Sequence, residues 1–183
     1  MAKPFQLGLL VGRFQTFHTG HESMVRTALA LCENVGVLIG SSQEHGTVKN
    51  PFPWETRAAF FKKVFGESVM LAPLPDIGVG NTAKWGEYVL QNAVSAFGRL
   101  PDLLVSGKEE RRIDWFDSAP GAKVAELYIP KTIEISASQM RAYFTENDFE
   151  HWKRFMDPVL WNEFEPLRAL VLAARGHTET ESV

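Results

Sequence analysis

The sequence predicts an α/β fold: a Rossmann-like open parallel sheet with helices on both faces and a small helical C-terminal part. Short apolar runs of strand length alternate with longer segments of helical periodicity. Such alternation is typical of a parallel sheet that is covered on both faces. The end of the chain carries helix signals only, which places an extra helical part after the last strand.

The predicted elements of the N-terminal half follow from these patterns. Apolar residues recur at spacings of three and four in Glu22–Glu33, which indicates a helix. Pro53 stands near the first turn of a second helical segment, where proline is tolerated. In order, the predicted elements are strand Leu7–Val11, helix Glu22–Glu33, strand Val35–Ile39 and helix Thr56–Phe65.

The second half continues the alternation and then becomes helical. Ser136 and Gln139 fit a capping box, and Asp157 followed by Pro158 is a good helix start. The predicted elements are strand Val69–Ala72, helix Ala83–Phe97, strands Leu103–Val105 and Val124–Ile129, and helix Ser136–Phe144. We expect a single domain over residues 1–175 and a flexible polar tail over residues 176–183.

Composition excludes several classes of protein. A length of 183 residues suits one domain with a proper core, and a net charge of −3 argues against a nucleic-acid binder that uses a broad basic surface. No run approaches the roughly 18 apolar residues of a membrane span, and the first apolar run is too short for a signal peptide. We therefore expect a cytoplasmic protein with neither a membrane nor a nucleic-acid partner.

The chain has one cysteine, Cys32, in the apolar helical stretch TALALCENV. A single cysteine excludes an intrachain disulfide and a cysteine metal site. We expect a buried, inert thiol.

The segment GRFQTFHTGH, residues 12–21, follows the first predicted strand. In an open parallel sheet, ligands bind beyond the carboxyl ends of the strands, and the next helix offers free N–H groups to a phosphate. His18 and His21 are three residues apart and share one face of a helical turn. Both imidazoles, with Arg13 nearby, can bind one polyphosphate. A single histidine at a helix start is also common as a cap or a surface group. The phosphate site is therefore predicted from the pair and not from either histidine alone.

Two glycines flank this pair. Gly12 lets the backbone turn or approach a ligand closely, and Gly20 does the same at the helix entrance. The loop is neither a Walker A sequence nor G-x-G-x-x-G, and the chain contains no G-K-[ST]. A P-loop kinase is therefore excluded.

GRFQTFHTGH closely resembles the GRFQPFHxGH signature of HxGH nucleotidylyltransferases. It is most similar to the nicotinamide-mononucleotide adenylyltransferases of archaea and of some bacterial bifunctional enzymes. Thr16 stands where that family usually has proline. The resemblance implies that the catalytic residues include His18, His21 and Arg13. It also implies that substrate contacts Gly12, Phe14, Gln15 and Gly20.

Further resemblances follow in the same order along most of the chain. The turn GSSQ after the second strand is similar to a GSAQ turn of that family, and NPF with Arg57 resembles an NPFxxxER segment in which Thr56 replaces the glutamate. A Ser-Gly pair matches the turn after the fourth strand. The substrate-binding residues implied here are Ser41, Lys49, Asn50, Arg57, Ser106 and Gly107. His45, in the intervening loop, is an open candidate.

The segment ISASQMR resembles the ISxTxxR motif of the same family, with Ser138 in place of threonine. Ser136 and Ser138 lie at a predicted helix N-terminus, where hydroxyls and free N–H groups converge on an anion. Arg141 follows one turn later and can fork onto phosphate oxygens. The resemblance makes Arg141 catalytic and both serines substrate-binding. The alternatives are a plain N-cap for Ser136 and a solvated surface arginine.

Asp76, Asn81 and Trp85 resemble the stretch that holds the nicotinamide ring in that family. A tryptophan there implies stacking on the cationic pyridinium ring. Without the resemblance, Trp85 is better explained as a core residue, and Asp76 as the cap of a turn. The pair Arg111-Arg112 is more typical of a solvated surface.

The resemblance implies a reaction of ATP with nicotinamide mononucleotide that gives NAD and pyrophosphate, with Mg²⁺ carried in by ATP and no dedicated metal site. It also implies a homo-oligomer. Two alternatives stay open. One is a transferase of the same fold that uses another phosphate acceptor, such as nicotinate mononucleotide, or CTP as donor. The other is a pyridine-nucleotide sensor without turnover.

Overall fold

The computed structural model describes residues 2–80, 82–107, 115–116, 123–131 and 133–180. Its strands are β1 (Phe5–Gly12), β2 (Cys32–Gly40), β3 (Met70–Leu74), β4 (Leu103–Ser106) and β5 (Ala125–Tyr128). Its helices are α1 (Thr19–Leu31), α2 (Trp54–Phe65), α3 (Ala83–Phe97), α4 (Ala137–Glu146), α5 (Phe149–Trp152) and α6 (Phe164–Thr180).

The strands within this described part of the chain form one sheet in the order β3-β2-β1-β4-β5, and every pairing is parallel. The prediction of an open parallel sheet is therefore confirmed. Because β2 and β3 continue from β1 in one direction and β4 and β5 in the other, the chain reverses its order between β1 and β4. Ligands of such sheets bind beyond the carboxyl ends of the strands at this reversal.

Helices cover both faces of the sheet, as predicted. Leu10 of β1 belongs to the larger apolar cluster, which also takes side chains from α1, α2 and the C-terminal helices. Leu9, the next residue along the same strand, belongs to a smaller cluster with α3 and Trp115. Neighbouring residues of a strand point to opposite faces, so β1 is buried on both sides. Among the described residues, no helix has the length and apolarity needed to cross a bilayer.

The predicted helix boundary at Glu33 is wrong. Helix α1 ends at Leu31, and Cys32 opens β2, where it pairs with Phe5 of β1. A glycine makes this possible, because a Cβ atom at Gly8 would lie 2.5 Å from the Cys32 Sγ. The thiol is fully buried as expected, and burial raises its pKa.

The structure confirms two predicted helix starts, at Ser136 and at Asp157. The Ser136 Oγ caps α4 by accepting a hydrogen bond from the Gln139 N–H at 3.2 Å. Asp157 caps the 3₁₀ helix Pro158–Glu163, which leads into α6. Helix α6 continues to Thr180, whereas the sequence predicted a flexible tail from residue 176. Residues 181–183 lie outside the described part.

Candidate active site

A cavity of about 650 Å³ opens at the carboxyl ends of β1 and β4, at the reversal of strand order. Its wall is built from the loop after β1, the turns after β2 and β4, the start of α3 and the start of α4. Most of the residues predicted for the site share this wall. They are Gly12, Arg13, Phe14, Gln15, His18, Gly20, His21, Ser41, Asp76, Trp85, Ser106, Gly107, Ser136, Ser138 and Arg141.

His18 is both the N-cap of α1 and a residue of the cavity wall. Its Nδ1 accepts a hydrogen bond from the Gly20 N–H at 3.1 Å. Burial, followed by the nearby Lys131 ammonium, lowers the pKa of His18 from 6.5 to about 4. The imidazole is therefore neutral at pH 7. Because Nδ1 is the acceptor, the ring proton lies on Nε2, and the free N–H is a hydrogen-bond donor.

His21 stacks on His18, with ring centroids 3.9 Å apart and ring planes inclined by 26°. Phe14 packs edge-on against His21 at 5.0 Å, and Phe17 lies 6.0 Å away. Burial lowers the pKa of His21 well below its usual range, and the neighbouring His18 lowers it further. Two neutral rings can stack in this way, whereas two imidazolium rings would repel each other.

Steric contact with the His18 ring explains why the residue between the two histidines, Gly20, is a glycine. A Cβ atom at Gly20 would lie 2.9 Å from the His18 Cε1 and 3.0 Å from its Nδ1. Any larger residue therefore pushes the His18 ring away from the helix end and from its stacking partner. The spacing H-x-G-H thus produces one pre-organised pair of imidazoles.

Phe14 holds this loop in a strained conformation. Its φ of 52° is in the left-handed region, which non-glycine residues rarely adopt. Packing on His21 and, at 4.9 Å, on Phe61 keeps the ring in place. Such strain is characteristic of functional sites.

Arg141 joins the start of α4 to the loop after β1. Its Nη1 donates to the main-chain oxygen of Gln15 at 2.5 Å, and its Nη2 donates to the Ser138 Oγ at 3.3 Å. Burial lowers the pKa of Arg141, as does the positive charge of Arg13. The second predicted phosphate motif therefore faces the same cavity as the histidine pair.

Arg13 is positioned by a residue outside the cavity wall. Its Nη1 donates to the Asn50 Oδ1 at 3.3 Å, and the Asn50 side-chain amide donates in turn to Glu44. Asn50 is 3% exposed and does not line the cavity. Lys49 beside it is exposed and also lies outside the cavity wall. In the structure Asn50 supports Arg13 from outside the cavity wall, and its predicted substrate contact stays a prediction.

The side chains of Arg57 and Gln15 form hydrogen bonds with main-chain groups of the protein. Arg57 is fully buried, outside the cavity wall, and its guanidinium donates to the carbonyl oxygens of Arg13, Gly40 and Ser41 at 2.7–3.1 Å. Burial lowers the pKa of Arg57 to about 10, so it stays charged at pH 7. These bonds fix the ends of β1 and β2, and the predicted substrate contact of Arg57 stays a prediction.

The Gln15 side chain is equally occupied. Its amide donates to the Phe52 oxygen at 2.8 Å, and its Oε1 accepts from the Phe52 N–H at 2.9 Å. Among the groups of Gln15, it is the main-chain oxygen that meets Arg141. The sequence motif therefore marks a residue that shapes the loop.

Aromatic residues form another part of the cavity wall. Trp85 at the start of α3 meets Trp115 edge-on, with ring centroids 6.4 Å apart, and Tyr88 at 5.5 Å. The Asp76 carboxylate accepts a hydrogen bond from the Gly78 N–H at 2.9 Å, and its main chain is bonded twice to the Gln43 side chain. Asn81, also predicted here, lies outside the described residues, as do Arg111 and Arg112.

Trp115 and Lys131 are among the residues of the cavity wall that the sequence analysis missed. Trp115 is 4% exposed, and its main chain packs against α3 where Gly86 leaves room. Lys131 lies between β5 and α4. Neither residue is part of a motif, and no signal in the sequence marks them.

No group of three or more histidine, cysteine, aspartate or glutamate side chains in the described ranges is arranged to hold a metal ion. The cations of the cavity wall within the same ranges are Arg13, Lys131 and Arg141. Together with two neutral imidazoles and the N-termini of α1 and α4, they make this a site for a polyanion.

A family model for cytidylyltransferase-like proteins matches residues 9–142, which include the histidine pair and Arg141. The chain belongs to the cytidylyltransferase-like family. This match confirms the resemblance that the HxGH and ISASQMR segments carry.

Members with curated names give the relationship in more detail. The nicotinamide-nucleotide adenylyltransferase of Thermococcus onnurineus is 29% identical over 87% of this chain and 77% of its own length. That of Saccharolobus solfataricus is 35% identical over 45% of this chain, and this chain spans only 50% of its length. A bifunctional NMN adenylyltransferase/ADP ribose pyrophosphatase from Francisella tularensis has the same fold, with a TM-score of 0.76 at 20% identity over 97% of this chain and 56% of that chain.

Proposed function

We propose that this protein transfers the adenylyl group of ATP to the 5′-phosphate of nicotinamide mononucleotide, giving NAD and pyrophosphate. The observation that carries the proposal is that the stacked, neutral pair His18 and His21 shares one cavity with Arg141 and Arg13. The names of the relatives from Thermococcus and Saccharolobus support the same reaction. The curated relatives are also the reason to prefer an enzyme over a sensor.

The reaction needs positioning more than it needs proton transfer. The attacking phosphate oxygen is already anionic, so no general base is required. It forms a bond to the α-phosphorus, and the bond to the leaving pyrophosphate breaks with its electron pair staying on the pyrophosphate. The protein must hold two mutually repelling anions in line and stabilise the charge that builds up.

The residues of the cavity wall contribute in different ways to binding and stabilising the phosphates. The neutral His18 donates its Nε2–H to a phosphate oxygen without changing its protonation state. Arg13 and Arg141 supply fixed positive charge, and their fork geometry suits phosphate oxygens. The uncapped N–H groups at the start of α4 add a dipole that favours negative charge.

Magnesium enters with the substrate, bound to the phosphates of ATP. Arg13, Lys131 and Arg141 of the cavity wall are the cations that would contact the phosphates beside this ion. A related solved structure from Francisella tularensis contains AMP and a manganese ion, which agrees with a divalent ion that accompanies the nucleotide.

Trp85 holds the pyridinium ring of nicotinamide mononucleotide. A cationic ring over an indole face is a favourable contact, worth about 1–2 kcal/mol when water is excluded. Trp115 stands nearly perpendicular to Trp85, at 80°, and limits where the ring can lie. This part of the cavity is therefore aromatic and suited to an aromatic cation.

The test is a pyrophosphate-release assay with ATP and nicotinamide mononucleotide, repeated with nicotinate mononucleotide and with CTP. We expect turnover with the first pair and a kcat roughly 10²–10³-fold lower in His21→Ala, the scale for loss of one transition-state contact. The exposed His151 is the matched control, and His151→Ala keeps wild-type turnover. Tight NAD binding without pyrophosphate release refutes the proposed catalytic activity. Turnover only with another acceptor, or only with CTP, refutes the proposed substrate pair.

A further inference from the structure

Lys131 is a cation of the cavity wall that belongs to none of the sequence motifs. It lies in the connection from β5 to α4 and lines the same cavity as His18. The chain before it is held in place, since the Ile129 N–H donates to the Ser106 oxygen at 2.8 Å. The connection therefore leaves β5 directly beside the end of β4, at the reversal of strand order.

Within the described part of the chain, Lys131 differs from Arg13 and Arg141, the other cations of the wall, in having no hydrogen-bond or ion-pair partner. Arg13 is bonded to Asn50, and Arg141 is bonded to Gln15 and to a serine hydroxyl. Among the residues that the structure describes, Lys131 has neither an ion pair nor a hydrogen bond, and its side chain is exposed. Its charge is consequently available to a ligand, and no existing contact has to be broken first.

The charge of Lys131 also acts on the histidine pair. The ammonium is close enough to His18 to lower the pKa of that imidazole, second only to burial. An anion that accepts a hydrogen bond from His18 is thus within the field of Lys131 as well.

We propose that Lys131 binds the pyrophosphate part of ATP next to His18 and stabilises it as it leaves. The inference rests on the proposed adenylyl transfer, in which the bond between the α- and β-phosphates breaks and the leaving group gains negative charge. Arg13 and Arg141 are fixed by their own hydrogen bonds, whereas the long, flexible lysine stem can follow the departing group as a point charge.

The test is calorimetric titration of inorganic pyrophosphate into the wild type, Lys131→Met, Lys131→Arg and Lys123→Met. Lys123 is exposed just before β5, at the opposite end of that strand, and is a matched control for the loss of one charge. We expect roughly tenfold weaker binding in Lys131→Met, the scale for loss of one charged contact. Lys131→Arg should keep most of the affinity, and Lys123→Met should keep all of it.

Kinetics and NMR give two further measurements. In Lys131→Met the KM for ATP rises while the KM for nicotinamide mononucleotide changes little. The pKa of His18, followed by NMR, rises in Lys131→Met, although burial still keeps it below its usual value, and it stays unchanged in Lys123→Met. If Lys131→Met has the same urea-unfolding midpoint as the wild type, a folding defect is excluded as the cause of its weaker pyrophosphate binding.

Equal pyrophosphate affinity in Lys131→Met and the wild type overturns the inference, and so does an equal loss in the Lys123 control. If the wild type binds pyrophosphate through Lys131 but makes no NAD, the proposed function fails and the phosphate contact stands. If NAD is made and Lys131→Met matches the wild type, only the contact fails. A wild type that does not bind pyrophosphate overturns the contact, whereas the proposed function is decided by whether NAD is made.

Discussion

Replacing His18 with asparagine is expected to make folding less sensitive to acid by about 2 kcal/mol between pH 7 and pH 5. The folded-state pKa of His18 is about 4, against 6.5 for an ordinary histidine. In the window between these values the unfolded chain binds the proton and the folded protein does not. Acidification therefore favours unfolding, and the stability that the neutral ring supports is lost as the pH falls.

The magnitude follows from the two pKa values. At pH 5 the unfolded imidazole is almost fully protonated and the folded one is about nine-tenths neutral, which corresponds to about 2 kcal/mol. At pH 7 the difference is only a few tenths of a kcal/mol. Asparagine removes the titrating group and keeps the cap, because its Oδ1 can accept from the Gly20 N–H in place of Nδ1.

The assay is urea unfolding of both proteins at pH 7 and pH 5, at constant ionic strength, followed by tryptophan fluorescence. The carboxylates titrate in both proteins, so the difference between the two pH differences comes from His18 itself and from its effect on the pKa of His21. Both contributions make His18→Asn less sensitive to acid. His45, exposed in the loop after β2, is the matched control, and His45→Asn should behave as the wild type. The reasoning is refuted if His18→Asn loses as much stability on acidification as the wild type does.

Three further substitutions test other parts of the site. Gly20→Ala should lower kcat at least roughly tenfold with little loss of stability, because the new methyl group displaces the His18 ring and geometry errors of about 1 Å are costly; a wild-type kcat would show that the stacked pair is not needed. Trp85→Ala should raise the KM for nicotinamide mononucleotide about tenfold and the KM for ATP far less; equal changes in both constants would return Trp85 to a core role. Arg57→Met should lower the free energy of unfolding by about 3 kcal/mol, since three buried carbonyls lose their donor, whereas Lys62→Met on the exposed side of the same helix should cost almost nothing; equal urea midpoints for the two variants would contradict the buried network.

The sequence predicted the class of fold well, for a physical reason. A strand buried on both faces must be a short apolar run, and Val35–Ile39 is such a run inside the observed β2. Pattern within a segment does not show which strands become neighbours, so the order with β1 in the centre was not predicted. The error at Cys32 has the same origin, because it is pairing with Phe5 that draws this residue into the sheet.

The candidate site was predicted in part. His18, His21 and Arg141 line one cavity because they follow strand ends or open helices, and the sequence shows both kinds of position. It does not show whether a polar side chain faces a ligand or the protein's own main chain. Arg57 and Gln15 donate to main-chain carbonyl groups that come within hydrogen-bonding distance only in the folded protein.

Trp115 and Lys131 could not have been found in this way. Lys131 follows β5, whose pairing with β4 brings it to the cavity, and Trp115 reaches the cavity with its main chain packed against Gly86 of α3. Their sequence neighbours carry no phosphate or aromatic motif. Contacts of this kind are set by tertiary structure and become visible only in three dimensions.

The bond from Arg141 to the Gln15 carbonyl spans 126 positions of the chain. While the polypeptide is being synthesised, the paired imidazoles emerge early, and Arg141 emerges only after strands β1 to β5. If the cavity binds a nucleotide as proposed, the ligand can stabilise the nascent chain through both halves of the site only after α4 has left the ribosome.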